Sequence, residues 1–261
     1  MIDLWIPQVV KIYDALNGQM RLVGGCVRDF LLGRKPYDID IATPLHPEAV
    51  LRALESCRIK ARMVSPRHGV VSARVAGMCF EVTTLRQESY ETGREVITFI
   101  TDYEQDARRR DFTMNALSMD REKVYDYFNG QADLEDGSIR FIGEPAVRIS
   151  EDPLRLMRYI RFWSYFGKGK PDCGVLSLSS QFRTKMETVS FYRRKKEFSR
   201  ILMSPRVLDA LRLMINGGLM PCVAEEPDLP KLEQILKEKP TASLAERLAC
   251  FGHYNNRKEK T

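Results

Sequence analysis

The sequence is poor in the residues that build metal cages and disulfide frameworks. Its 261 residues contain six cysteines and three histidines. Cys26, Cys57, Cys79, Cys173, Cys222 and Cys250 stand at long, irregular intervals without a CxxC pair, and His46, His68 and His253 are as widely spread. That spacing argues against a zinc site and against a disulfide-stapled secreted domain; it fits free, mostly buried thiols in a reducing compartment. No run of about 18 apolar residues occurs, so no membrane-crossing helix is expected. The opening MIDLWIPQVVKIYDAL places Asp3 early and lacks the basic start and small-residue cleavage site of a secretory leader, which predicts a cytoplasmic protein. Neither GxxxxGK(S/T) nor GxGxxG is present, which excludes a P-loop and the dinucleotide-binding fingerprint.

What remains is an ordinary globular composition, 44% hydrophobic and 29% charged, which excludes collagen-like, low-complexity and wholly disordered chains. The length suits one large domain or two small ones. Lys+Arg 41 against Asp+Glu 35 leaves +6, and the excess is concentrated. Between Ser138 and Arg206 fifteen basic residues face six acidic ones, so this window carries +9 and the rest of the chain −3. A basic middle of this kind is either a solvated helical face or an electrostatic footprint for phosphates.

Residues 8–18 have helical apolar spacing, Arg21–Val23 reads as a strand entering Gly24-Gly25, and a helix over Val27–Leu32 closes at Gly33. Tyr37–Ala42 alternates as a strand, Pro47–Ser56 reads as a helix, and Val70–Val75 with Met78–Thr84 forms a hairpin around Ala76-Gly77. Residues 85–108 are polar, contain Gly93 and read as a mobile loop; Lys123–Tyr127 is strand-like and Asn129-Gly130 a turn. After about Ile142 the pattern turns helical, with stripes at Leu154–Tyr165, Phe198–Leu202 and Val207–Ile215, and the last ten residues are polar and expected to fray.

Two features near the start carry chemistry. Paired glycines between a strand and a helix let backbone N–H groups approach a phosphate at the positive end of the helix, with Arg28 in reach of the same phosphates. A Gly-Gly turn is also a plain structural requirement. Asp38 and Asp40, two apart on an expected strand, project from one face. Their repulsion suits a hard cation such as Mg²⁺, which activates an attacking hydroxyl and neutralises a departing pyrophosphate.

These residues resemble a known family. Leu22-Val23-Gly24-Gly25-Cys26-Val27-Arg28-Asp29, Leu31-Leu32-Gly33 and Tyr37-Asp38-Ile39-Asp40-Ile41-Ala42-Thr43 together resemble the first motif of class II CCA-adding enzymes and bacterial poly(A) polymerases, nucleotidyltransferases of the polymerase-beta superfamily. Arg109-Arg110-Asp111-Phe112-Thr113-Met114-Asn115-Ala116 resembles their second motif. Asp126-Tyr127-Phe128-Asn129-Gly130 and Ile139-Arg140-Phe141-Ile142-Gly143 resemble the third stretch. Glu151-Asp152-Pro153-Leu154-Arg155, continued by Arg158 and Arg161-Phe162, resembles the nucleotide-selecting motif. The matches fall in family order across residues 21–166.

The resemblance implies an α+β fold: a polymerase-beta-like head with a mixed or antiparallel sheet over 1–137, a helical, basic neck over 138–203 and a partial helical body over 204–261. Family members usually continue through body and tail domains that grip the tRNA elbow. It implies transfer of CMP and AMP from CTP and ATP to the tRNA 3′ acceptor end, without a nucleic-acid template and with release of pyrophosphate. Asp38 and Asp40 would be the catalytic, Mg²⁺-holding pair, with Glu81 a candidate third carboxylate. Gly25, Arg28, Arg110, Asp152, Arg155, Arg158 and Arg161 would bind the nucleotide, and Asn115 is a candidate contact to a ribose hydroxyl. On the expected helix opening at Glu151, Asp152 would accept from the amino group of cytosine or adenine while Arg155 donates to a ring acceptor; uracil and guanine present a carbonyl there and are rejected.

Within the family, a flexible loop like residues 85–108 helps the pocket switch from CTP to ATP, so the resemblance implies that this chain completes CCA. Poly(A) polymerases share the first two motifs, whereas His68-Gly69-Val70-Val71 and Glu81-Val82-Thr83-Thr84-Leu85-Arg86 look more like the CCA-adding branch. A third reading is a non-catalytic RNA-binding remnant; intact Asp38, Asp40, Asp152 and Arg155 speak against it. One position departs from the pattern: after Ser190, Tyr192 stands where the family usually has the Glu of a Glu-Arg pair, which puts the bracing of the neck helices in question.

Overall fold

The chain divides after Glu135 in the computed structural model, which describes residues 3–91, 94–225 and 227–251. The first unit, Met1–Glu135, runs α1 (Pro7–Ala15), β1 (Arg21–Val23), α2 (Gly25–Leu31), β2 (Asp40–Thr43), α3 (Pro47–Ser56), β3 (Lys60–Ser65), β4 (Val70–Val75), β5 (Met78–Thr84), β6 (Arg86–Glu91), β7 (Arg94–Phe99), α4 (Tyr103–Arg108), a 3₁₀ turn (Thr113–Asn115), β8 (Ser118–Met119), β9 (Val124–Tyr125) and α5 (Gly130–Asp136). Seven strands form a mixed sheet in the order β3-β4-β5-β2-β1-β8-β9. Only β2 and β5 pair in parallel, Asp40 opposite Glu81 and Thr43 opposite Thr84; the other neighbours are antiparallel.

Alternation decides the two faces of this sheet. Leu22, Ile41, Val71, Ala73, Val75, Phe80 and Val82 point one way, and α1 and α3 cover them with Val9, Ile12, Leu16, Val50 and Leu54, all fully buried or nearly so. Val23 and Ala42 point the other way, toward Leu85, Ile100 and Tyr103. Asp40 and Glu81 lie on this second face by register. The β4–β5 turn forms as the sequence predicts: Ala76 and Gly77 both take positive φ, 47° and 84°, which matches the twist of a two-residue hairpin.

Three elements depart from expectation. The strand expected over Tyr37–Ala42 is Asp40–Thr43, so Asp38 precedes it and Tyr37 stands fully exposed. The helix expected over Val27–Leu32 already begins at Gly25. The segment expected as a mobile loop is a β-hairpin, β6 with β7 paired from Arg86↔Phe99 to Glu91↔Arg94, followed by α4. Its residues are mostly polar, so no apolar alternation announces the strands. Gly93 lies outside the described residues, as do 252–261, where fraying was expected.

The second unit, Asp136–Thr261, is helical over its described residues: α6 (Pro145–Glu151), α7 (Leu154–Phe166), α8 (Cys173–Met186), α9 (Phe191–Leu202), α10 (Val207–Asn216), a 3₁₀ turn (Met220–Cys222), α11 (Leu229–Glu238) and α12 (Leu244–Leu248). Nine of the thirteen residues of α7 are buried, which marks it as the central helix. Side chains cap the ends: Asp172 accepts from Gly174 and Val175, and Ser243 with Glu246 forms a capping box. Helix α8 escapes sequence reading because serines dilute its stripe of Val175, Ser179, Phe182 and Met186. No helix of the described residues is long and apolar enough to cross a membrane.

Candidate active site

In the first unit β1 delivers the chain into Gly24, whose φ of 75° and ψ of −125° suit glycine alone. A Cβ there would stand 2.6 Å from Nη1 of Arg110, so both the conformation and the close approach require glycine. Gly25, the residue expected to matter, opens α2; a Cβ on it would meet Nη2 of Arg28 at an ordinary 3.6 Å.

Arg28 is buried at 9% exposure. Its Nε and Nη2 donate to Oδ1 of Asp29 at 2.9 and 2.8 Å, and its Nη1 donates to Oδ1 of Asn115 at 2.6 Å. Nδ2 of Asn115 donates in turn to Asp111 at 3.0 Å. Every residue from Asp111 to Met119 is buried. The side chain of Asn115, expected near a ribose, here links Arg28 to Asp111.

Arg110 donates through Nη1 to the Asn115 carbonyl at 3.2 Å, and its Nη2 lies 3.6 Å from Asp106. Burial alone would raise Asp106, but Arg109 and Arg110 outweigh it, together with the Arg86 amide, and hold the carboxyl below its usual value.

Asp38, Asp40 and Glu81 form the acidic side of the site. Burial, then the neighbouring Asp38 charge, raises the Asp40 carboxyl to about 6; Arg110 lowers it, and Glu81 raises it further. Asp40 lies opposite Glu81 in the parallel β2–β5 pair and Asp38 stands exposed two residues before it; Arg110 offsets their repulsion of Asp40 only in part. Cys26, beside them, is buried and donates to the Val23 carbonyl at 3.4 Å. Burial pushes its thiol up to about 11, which keeps it inert. The donors are hard oxygens, the set a hard divalent cation takes. Among the described residues no group of three or more His, Cys, Asp or Glu is arranged to hold a metal.

The other expected nucleotide-binding residues lie in the second unit. Asp152 is not on a helix: its φ of −142° and ψ of 99° break the chain between α6 and α7, because Pro153 disfavours helical backbone in the residue before it. Its Oδ1 accepts from the Leu154 N–H at 3.2 Å and its Oδ2 from Nη2 of Arg193 at 2.7 Å. Arg155 is buried and donates to Glu151 at 2.6 Å and to the Arg148 carbonyl at 2.9 Å. Its side chain is thus paired with Glu151, one turn back, rather than with Asp152.

Arg158 and Arg161, expected near phosphates, converge on Glu197 of α9 at 3.6 and 2.6 Å, and Arg200 joins at 3.1 Å. The Glu197 side chain is 5% exposed. Burial pushes the Arg161 guanidinium down while Glu197 pushes it back up. Bracing thus persists although Tyr192 occupies the position of the family Glu and stands exposed. Glu197 and Arg193 escaped the sequence reading because their partners lie 36 and 41 residues away; their i, i+4 spacing was the available signal.

Residues 20–140 match the family model described as the poly A polymerase head domain. The CCA tRNA nucleotidyltransferase 1, mitochondrial, of Mus musculus is 34% identical over 223 residues, which is 83% of this chain and 51% of that protein. The CCA-adding enzyme of Geobacillus kaustophilus strain HTA426 is 39% identical over 219 residues, 82% of this chain and 52% of that protein. The crystal structure of Bacillus stearothermophilus CCA-adding enzyme in complex with CTP aligns with a TM-score of 0.73 at 32% identity, over 91% of this chain and 57% of that one. The chain spans about half the length of the curated relatives it matches.

Proposed function

This chain belongs to the nucleotidyltransferase family that carries the poly A polymerase head domain, and we propose that it adds CCA to tRNA 3′ ends from CTP and ATP, releasing pyrophosphate. The observation that carries this reading is the register of Asp40 opposite Glu81, with Asp38 two residues before it, together with Arg110, which offsets the Asp40 repulsion and closely approaches the Gly24 turn. The relatives are CCA-adding enzymes, one of them solved with CTP.

Members of this family generally use divalent metal ions. Mg²⁺ held by Asp38 and Asp40, with Glu81 in support, would supply activation of the attacking hydroxyl and charge neutralisation of the phosphates. The chain's own residues do the rest. The first turn of α2 directs backbone N–H groups at the triphosphate, with Arg28 fixed beside Gly25. Arg110 adds positive charge where the leaving pyrophosphate gathers negative charge. Asp152 accepts from a base amino group and Arg155 donates to a ring acceptor, while Arg158 and Arg161 keep the rest of the α7 face positive for phosphates. On this reading residues 1–137 are the head, 138–203 the neck and 204–261 part of the body, acting in the cytoplasm.

The hairpin of residues 86–99 is proposed to switch the enzyme from C to A. Glu88 ties it to Arg86 at 2.9 Å and to Arg109, beside Arg110, at 3.2 Å. Replacing residues 87–95 by a short Gly-Ser linker should spare C addition and cripple A addition; equal loss of both would defeat this role. The test of the function itself is incorporation into tRNA transcripts ending before CC, after CC and after CCA. The expected products are complete CCA, a single A, and no addition. Long A tails on all three would indicate a poly(A) polymerase, a product stopping at CC would indicate a partial enzyme, and no incorporation would indicate an RNA-binding remnant.

A further inference from the structure

Helix α9 opens against its own electrostatics. Arg193, Arg194, Lys195 and Lys196 crowd its first turns, and no acidic residue stands in the first turn, where the positive end of the helix dipole disfavours cations. Arg194 is accounted for by the Cys222 carbonyl it donates to; for Arg193, a local preference broken without a packing gain points to function. The Arg193 side chain is half exposed, at 52%, so the core does not hold it in place. Its guanidinium nevertheless lies 2.7 Å from Oδ2 of Asp152, on a segment 41 residues earlier.

Asp152 needs such a partner. It stands at the break between α6 and α7, where its backbone leaves the helical region while its N–H still reaches the Arg148 carbonyl at 3.4 Å. The Leu154 N–H engages Oδ1 and Arg193 engages Oδ2; together these bonds set the plane of the carboxylate. A carboxylate offers about four acceptor sites, so each oxygen keeps a lone pair for another donor.

We infer that Arg193 is a positioning residue for base choice: through Oδ2 it holds the Asp152 carboxylate in the plane that accepts an amino group and repels a carbonyl. The inference rests on the reading of Asp152 as the base-reading acceptor. Without the guanidinium the carboxylate turns about its terminal torsion, which is intrinsically broad, and its acceptor oxygens meet the base edge out of plane. Amino-bearing bases then lose part of their advantage, while the step at Asp38 and Asp40 keeps its machinery. A lysine keeps the charge but not the planar fork.

The test is single-nucleotide incorporation into a tRNA transcript ending before CC, with each of the four nucleotides. The proteins compared are wild type, Arg193→Ala, Arg193→Lys, Asp152→Ala and the double Asp152→Ala/Arg193→Ala, each with its melting temperature. Arg193→Ala should raise KM for CTP and lower the preference for CTP over UTP by about three- to tenfold, with kcat within about twofold of wild type. Arg193→Lys should recover part of the preference. In the Asp152→Ala background the Arg193 substitution should have no further effect. An unchanged preference in Arg193→Ala, or an equal loss with and without Asp152, would overturn the inference. If Asp152→Ala itself leaves the preference intact, the base-reading role of Asp152 fails and takes the inference with it. That result differs from one in which Asp152→Ala relaxes choice and Arg193→Ala does not, which defeats Arg193 alone.

Discussion

The two units treat charge in opposite ways. At the sheet end of the first, burial and the charges of Asp38 and Glu81 drive Asp40 up to about 6, and Arg110 offsets them only in part. Around the central helix of the second, each carboxylate engages guanidinium partners: Glu151 takes Arg155, Asp152 takes Arg193, and Arg158, Arg161 and Arg200 share Glu197. Unbalanced negative charge is what a site needs when cation and triphosphate arrive together. Paired, hydrogen-bonded charge suits a surface that must present donors and acceptors in fixed directions before the base arrives. On the proposed function, the first unit sets the rate and the second sets the choice.

The largest effect should come from the unbalanced side. Asp38→Ala or Asp40→Ala should lower nucleotide transfer by about a thousandfold or more, because each removes a metal-holding oxygen. Circular dichroism and melting should stay near wild type, since Asp38 is exposed and Asp40 half-buried. Transfer within tenfold of wild type would break the contrast at its first term.

On the paired side the largest cost should be to stability. Glu197→Gln leaves Arg161 buried and charged without its counter-ion, at a cost of about 3 kcal/mol, to be read from denaturant unfolding. A loss below about 0.5 kcal/mol, the scale of an exposed pair, would mean that the Glu197 network is not a brace.

A smaller effect concerns pH. The carboxyl of Asp40 sits at about 6 in the folded chain against 3.8 as its ordinary value. Its ionisation is therefore disfavoured by the fold; the penalty is absent below about pH 4, grows through the interval and is complete above about pH 6 to 7. In chelator, Asp40→Asn should raise the melting temperature at about pH 7.5 and leave it unchanged near pH 4. An equal shift at both values would show that crowding at Asp40 is not electrostatic.

Much of this contrast was legible in the sequence, and the failures are instructive. Gly24-Gly25 and Asp38/Asp40 stand out as candidates because backbone chemistry and short spacing are local signals, although only Asp40 lies on the strand expected to carry both carboxylates. The β4–β5 hairpin was found because Ala76-Gly77 supplies its turn. The β6–β7 hairpin was missed because its strands lack an apolar alternation that would separate them from loop. Asp152 was placed on a helix although Pro153 follows it, and the restriction proline puts on its predecessor decides the matter. Asp152 and Arg155 were expected to work side by side, yet each is held by another residue, one of them 41 positions away. Spacing along one helix cannot report such a partner; packing of α7 against α9 creates it.

The division of labour can be tested in one experiment, the four-nucleotide incorporation profile of Asp40→Ala and Asp152→Ala against wild type on a tRNA transcript ending before CC. Asp40→Ala should depress all incorporation together and leave the ranking of the nucleotides unchanged in the residual activity. Asp152→Ala should keep measurable transfer while the margin of CTP over UTP falls by about tenfold or more. A changed ranking in Asp40→Ala, or an unchanged one in Asp152→Ala, would contradict the separation of rate from choice.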